Sequence, residues 1–368
     1  MKLSITESLT PGERLGMNIY NERGNVLLSE GLTLTQKMIN RLVSLNVPFV
    51  YIQDSRTDDI IPRPPISGEL RREAIHSIES TFQEIKNGVK VDGSFAIEKA
   101  AVKFTSLVGN ILEELKDSDE LLTLLSDVYT YDDYIFIHSF NVTLYTLALG
   151  MELKLQKKQL EILGLGAILH DVGKMLVPVE ILRKPGKLTQ EEFVEIQKHA
   201  EYGFQLIKSV YTISLIVANC AYQHHERLDG SGYPRGAKGD EIHYYGKIIA
   251  VADVFDAVTS NRVYRKAMLP HEGLEILYAG SGTKFDTQII EAFRRSVAIY
   301  PNGMTVELND GRKGIVSSQN AGIGDRPIVR ILEENKEQLV NPYEVDLKTN
   351  LHLLIKECLN VPKNSLPL

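Results

Sequence analysis

The chain has 368 residues, 43% of them hydrophobic, enough for two or more domains that each bury a core. Charged residues make up 24% and the net charge is −7 with no block of Lys or Arg, which excludes a nucleic-acid polymer or an anionic membrane as the evident partner. Apolar runs such as ISLIVANCAY stop short of the ~20 residues of a spanning helix, no charged leader followed by an apolar segment is read, and Cys220 and Cys358 make no disulfide framework, so a cytoplasmic protein is expected.

Residues 1–60 read as a small mixed α/β module. In GMNIYNERGNVLL a polar turn at Gly24 separates two apolar runs, a hairpin pattern; LTQKMINRLVSL has helical spacing and FVYI is a short strand. The stretch DSRTDDIIPRPPISGEL concentrates Pro, Gly, Ser and charge and reads as a linker opening a helical connector over 61–127. There Ile75, Ile78, Phe82 and Ile85 form one stripe and Ile97, Ala101, Phe104 and Val108 another, as connector or dimer helices require.

Residues 128–299 are helical almost throughout. Ile135, Val142 and Tyr145 share a face with His138, while Leu160, Leu163 and Ala167 lead to His170. Thr189 and Glu192 in LTQEEFVEI form a capping box, so a helix is expected from there with Ile196, His199 and Ile207 on its buried side. Ile213, Val217 and Cys220 bring His224 to an apolar face. In 300–368, GMTVELNDGRKGIVSS alternates around Asn309, Asp310 and Gly311, a hairpin signal opening a β-rich segment. The expected fold is mainly α, a helical bundle between a mixed α/β module and a small β-rich tail.

Five histidines, His138, His170, His199, His224 and His225, fall in the helical region near buried faces. Burying each without a partner would cost ~1–3 kcal/mol per unsatisfied group; a shared metal site answers all of them, since neutral imidazole is a common ligand for first-row transition metals. His224 and His225, about 100° apart on a last helical turn, reach one metal from a backbone about to unwind. Asp171 follows His170 in ILHDVGK, where Gly173 is expected to end the helix, and Asp253 sits among apolar residues in IIAVADVFDAV. Buried acids demand a cation. With two oxygens, Asp171 can bridge two metals roughly 3.5–4 Å apart with a shared hydroxide as nucleophile, an arrangement suited to in-line attack on phosphorus. His76, His243, His271 and His352 are read as structural, and Cys220 as a small core residue.

The stretches HDVGK (170–174), HHERLDGSGYP (224–234) and VADVFDAVTSNRVYRKA (251–267) closely resemble the HD-GYP family of bacterial cyclic di-GMP phosphodiesterases, over about residues 128–299. The resemblance implies an HD-type bundle with a first metal on His138, His170, Asp171 and Asp253, and a second on Asp171, His199, His224 and His225. Two divalent transition-metal ions are implied, and mixed His and carboxylate ligation favours iron or manganese. By the same likeness Lys174 assists at the scissile phosphate, Arg262 and Arg265 hold phosphate oxygens, and Gly232 and Tyr233 of the loop Gly230–Pro234 meet the substrate. That loop also implies GGDEF-type diguanylate cyclases as partners, and a homodimer is expected.

One departure bears on metal number. Family members with a third metal carry Glu four residues before the first ligand histidine, where this chain has Tyr134. A neutral phenol is a poor ligand, and Asp256 alone would make a weak, water-rich site, so a binuclear centre is expected. The implied activity is hydrolysis of cyclic di-GMP to pGpG, with GMP as the product of any second cut. The alternatives are an HD phosphohydrolase acting on another nucleotide and a non-catalytic cyclic-dinucleotide sensor; the complete ligand set and Lys174 argue against the sensor.

Overall fold

The computed structural model describes residues 1–359 apart from 22–24, 46, 63, 89–92, 118–133, 185, 261–266 and 321. The chain opens with β1 (Lys2–Ile5), β2 (Ile19–Tyr20), β3 (Val26–Leu28), α1 (Gln36–Ser44) and β4 (Phe49–Ile52). β1 pairs antiparallel with β4, and β2 with β3. The turn residues 22–24 of the expected hairpin lie outside the described residues. The Thr35 hydroxyl accepts from the Met38 amide at the start of α1, satisfying one of the amides a helix leaves unpaired. Leu15, Leu34, Leu42 and Val50 close a small core beneath these elements.

The helical part follows: α2 (Gly68–Gly88), α3 (Gly93–Asp117), α4 (Tyr134–Glu152), α5 (Lys157–Leu169), α6 (Val179–Leu182), α7 (Gln190–Gln197), α8 (His199–Lys208), α9 (Leu215–Gln223), α10 (Tyr244–Thr259), α11 (Pro270–Ala279) and α12 (Thr287–Ser296). α4 is apolar on nearly every face and buried accordingly. It is long and apolar enough to cross a membrane by composition, but 78% of that stretch is covered by the rest of the protein. The expected stripes of α2 and α3 do not stand apart from this bundle. Ile78, Phe82, Phe104 and Val108 belong to one continuous core with Phe140, Leu163, Val217, Ile249 and Phe293. Truncating a fully buried ring such as Phe82 to Ala should cost about 3–5 kcal/mol.

The single helix expected from Thr189 through Ile207 is broken. The capping box forms as read, but α7 ends at Gln197 and α8 starts at His199. The break turns the buried side away from α7, none of whose residues is buried, and leaves Ile207 in the core.

The last part is a five-stranded antiparallel sheet of β5 (Thr305–Leu308), β6 (Lys313–Asn320), β7 (Ile323–Glu334), β8 (Glu337–Asp346) and β9 (Ile355–Cys358), in the order β8-β7-β6-β5-β9. The hairpin read around Gly311 joins β5 to β6, and Gly311 takes φ +88, a conformation open to glycine. Val306, Val316, Val329 and Ile331 share a core with Leu3 and Phe49 from the N-terminal strands. Arg330 adds a two-pronged ion pair to Asp59 at 2.6 Å on each arm.

Candidate metal centre

Three helix ends and two helix interiors supply the site. His138 lies on α4 and Asp253 on α10, both inside their helices, whereas His170 and Asp171 follow the end of α5. His199 is the first residue of α8, and His224 and His225 follow α9. Gly173 explains how His199 approaches the others. It sits in a 3-10 turn, Val172–Leu176, and a Cβ there would overlap the His199 carbonyl and the Gly203 amide. The glycine is therefore required by the close packing of α8 on this turn, beyond the helix-ending role expected of it. His138, His170, Asp171, His199, His224 and Asp253 are buried, and His225 is partly exposed.

Four rings are oriented by the same device. The Nδ1 atoms of His170, His199 and His224 lie 2.7, 2.7 and 3.2 Å from the carbonyls of Ala167, Ile196 and Cys220. A carbonyl only accepts, so each Nδ1 carries the proton and each Nε2 presents its lone pair. His138 Nδ1 lies 2.7 Å from Asp256 Oδ2. The break at Lys198 thus has a local consequence: it lets the His199 ring fold back onto the carbonyl of Ile196.

The Nε2 atoms converge on Asp171 from two sides. Oδ2 lies 3.5 Å from Nε2 of both His138 and His170, while Oδ1 lies 3.4 Å from Nε2 of His199 and 3.8 Å from that of His224. Asp253 closes the first side, with Oδ1 3.1 Å from His138 Nε2, and reaches toward the second, with Oδ2 3.7 Å from His225 Nδ1. The donor atoms of His138, His170 and Asp171 form one close group and those of Asp171, His199, His224 and His225 another, with Asp171 in both.

The electrostatics fit a cation. Burial, reinforced by the neighbouring histidines, holds His224 and His225 well below the usual imidazole range. Burial likewise lowers His170 and pushes His199 down to about 4. His138 goes the other way: burial opposes its charge, but hydrogen bonds with Asp253 and Asp256 outweigh it and push the ring up to about 9. Burial would raise Asp171, yet Lys174 and the surrounding histidines hold it well below the carboxylate range. Two donor atoms receive no hydrogen bond although buried, His170 Nε2 and Asp171 Oδ1. Oriented nitrogen lone pairs around carboxylates are the donor set of a borderline transition-metal ion.

The other expected residues are placed as follows. Lys174 donates to Asp171 Oδ2 at 2.5 Å, the oxygen that faces His138 and His170. The Tyr233 ring lies beside the second group, its centroid 4.6 Å from His225 and 6.2 Å from His199. Gly232 packs so closely on the chain after His225 that a Cβ would overlap the His225 carbonyl and the Arg227 amide. Tyr134 stacks on His138 at 5.3 Å. Arg262 and Arg265 lie outside the described residues. Buried Cys220 has its thiol pushed up to about 12 by burial, consistent with a small core residue. His243 caps α10, accepting from the Tyr245 amide, and His271 stacks on Tyr300.

Two residues were not read as part of the site. The sequence offers Asp256 only as too weak a ligand for a third ion; besides His138, it accepts from Asn141 Nδ2 and Ser260 Oγ, both at 3.1 Å. It orients His138 through the nitrogen away from Asp171, as carboxylates behind metal-binding histidines do. Its spacing of three from Asp253 on one helix was the available signal. Buried Glu226 accepts from the amides of Arg235 and Ala237 at 2.8 and 2.9 Å, which holds the loop bearing Tyr233.

Residues 111–289 match the HD domain, and residues 305–364 a KOW domain associated with HD domain. The fold and the site thus define a mainly helical HD-domain protein with a His and Asp cluster for divalent metal. The chain is 33% identical over 269 residues to a cyclic di-GMP phosphodiesterase of Pseudomonas aeruginosa, covering 73% of this chain and 63% of that protein. It is 32% identical over 245 residues to a cyclic di-GMP phosphodiesterase of Thermotoga maritima, covering 65% of each. A 3'3'-cGAMP-specific phosphodiesterase of Vibrio cholerae is 38% identical over 168 residues, 46% of this chain and 36% of the relative. The chain spans less than two thirds of the length of each of these relatives. It carries the HD domain and is similar to these cyclic dinucleotide phosphodiesterases.

Proposed function

We propose that the chain is a metal-dependent phosphodiesterase that opens cyclic di-GMP to pGpG, with GMP as the product of any further cut. The observation that carries this reading is the division of Asp171, one oxygen facing His138 and His170 and the other facing His199 and His224. We take this as a seat for two divalent ions, iron or manganese, with His138, His170, Asp171 and Asp253 on one side and Asp171, His199, His224 and His225 on the other. Such ions supply a water activated at neutral pH and a clamp on the phosphoryl oxygens.

The protein's own part is orientation and charge. Ala167, Ile196, Cys220 and Asp256 fix the rings. Lys174 offers an ammonium beside the bridging carboxylate, placed to meet negative charge that builds on the phosphoryl group. By resemblance alone, Arg262 and Arg265 are assigned to the phosphates and Gly232 and Tyr233 to the substrate. The reading places the protein in the cytoplasm, with the Gly230–Pro234 loop as a surface for GGDEF-type diguanylate cyclases and a homodimer as the assembly.

A second substrate is supported by the likeness to the Vibrio cholerae relative, whose name specifies 3'3'-cGAMP. Protein purified without oxygen and reconstituted with iron or manganese is to be assayed against cyclic di-GMP, 3'3'-cGAMP and their linear products, with chromatographic separation. Release of pGpG from cyclic di-GMP is expected. Cleavage of 3'3'-cGAMP alone would favour the second substrate, and tight binding without any product would turn the reading to a sensor.

A further inference from the structure

Helix α7 has no buried residue, yet it is held firmly at its start. Thr189 and Glu192 exchange capping bonds, and Lys184 donates to both Glu192 oxygens at 2.8 and 2.7 Å. The helix carries Phe193, which is 43% exposed. Scattered exposed apolar residues are ordinary, but this ring is part of a series. It stands edge-on to Tyr233, with centroids 6.4 Å apart and planes at 80°. Tyr233 in turn lies over His225 at 4.6 Å. Aromatic surface therefore runs without interruption from a candidate metal ligand to the protein exterior.

We infer that Phe193, set edge-on against Tyr233, offers a stacking face for a purine base of the dinucleotide, making Phe193 a substrate-positioning residue. The inference rests on the reading above that the site takes a cyclic dinucleotide. In such a ligand a ribose separates each base from its phosphate; in the protein one tyrosine ring separates Phe193 from His225. A phosphate at the metal ligands thus leaves a base within reach of the exposed ring. Phe193 has no polar side-chain atom, so it contributes stacking without reading the Watson–Crick edge, and it should serve guanine and adenine alike. The bidentate Lys184–Glu192 pair and the capping box keep the ring in place before the ligand arrives, which limits the ordering cost of binding.

The test uses the metal-loaded full chain as wild type, Phe193→Ala and Phe193→Tyr. KM and kcat are measured with cyclic di-GMP and 3'3'-cGAMP, and metal content is determined in parallel. Binding is followed by fluorescence of a phosphorothioate-linked cyclic dinucleotide carrying 2-aminopurine. Phe193→Ala should raise KM and the probe's Kd about ten-fold for each base, the scale of a lost stacking contact. It should relieve part of the probe's quenching while leaving kcat and metal content at the wild-type level, and Phe193→Tyr should restore binding. Unchanged KM and Kd in Phe193→Ala with an active wild type would overturn this inference alone, as would a loss confined to kcat or to bound metal. A wild type that neither binds nor cleaves any cyclic dinucleotide would overturn the functional reading, and this inference with it.

Discussion

The Nε2 atoms of His199 and His224 lie 3.2 Å apart although both rings already commit their Nδ1 protons to backbone carbonyls. With both imidazoles held neutral by burial, two lone pairs face each other across a hydrogen-bond distance. A bound cation resolves that conflict and also serves the unpaired Oδ1 of Asp171. From this follow the predictions below.

Asp171→Ala removes an oxygen from each side of the site together. Turnover should vanish and bound metal should fall sharply, while helical circular dichroism persists because the main apolar core lies among other residues. A variant with wild-type metal content and rate would remove Asp171 from the centre.

Lys174→Ala should separate charge stabilisation from metal binding. The ammonium touches Asp171, but the histidines and Asp253 supply most of the ligands, so metal should be retained. Turnover at saturating substrate should drop on the order of 10²-fold or more, the scale of a lost electrostatic donor. Equal turnover would make Lys174 dispensable to the chemistry.

Asp256→Ala frees the His138 ring and leaves Asn141 and Ser260 without their acceptor. Metal affinity or activity should fall by about 10–100-fold, as for other carboxylates behind metal-bound histidines. Asp256→Asn keeps an acceptor and should lose less. Isothermal titration with manganese ranks the three proteins, and equal affinities would refute the orienting role.

Acid should destabilise the metal-free protein. His199 takes a proton near 6.5 when unfolded but only at about 4 when folded, because burial opposes its charge. Between those values the unfolded chain binds more protons, so this stability is present above pH 6.5 and is lost as pH falls toward 4. The slope is about 1.4 kcal/mol per pH unit for this one ring, and His170, His224 and His225 act in the same direction. Urea unfolding of chelator-treated protein should show a lower midpoint at pH 5 than at pH 7; coincident curves would contradict it.

Much of the centre was legible because helical periodicity places each histidine on the apolar side of its own helix, and an apolar side needs a partner for a polar ring. Periodicity does not say which helices meet. The stripes of Phe82 and Phe104 announced a buried face, yet only the folded chain shows that face joined to Phe140 and Phe293 in one core. The break before His199 was hidden for a similar reason: a capping box marks where α7 begins, whereas its end is set by α8 packing on Gly173, a contact distant in sequence. Glu226 is not legible from sequence because its role depends on amides nine and eleven residues further on.

The most direct test of a site divided by Asp171 is an anomalous-difference map of crystals of anaerobically purified protein, with elemental analysis of the same sample. Two full peaks about 3.5–4 Å apart are predicted, one among His138, His170 and Asp253 and the other among His199, His224 and His225, with Asp171 between them. A single peak would contradict the division, and a fully occupied third peak beside His138 and Tyr134 would contradict the metal count.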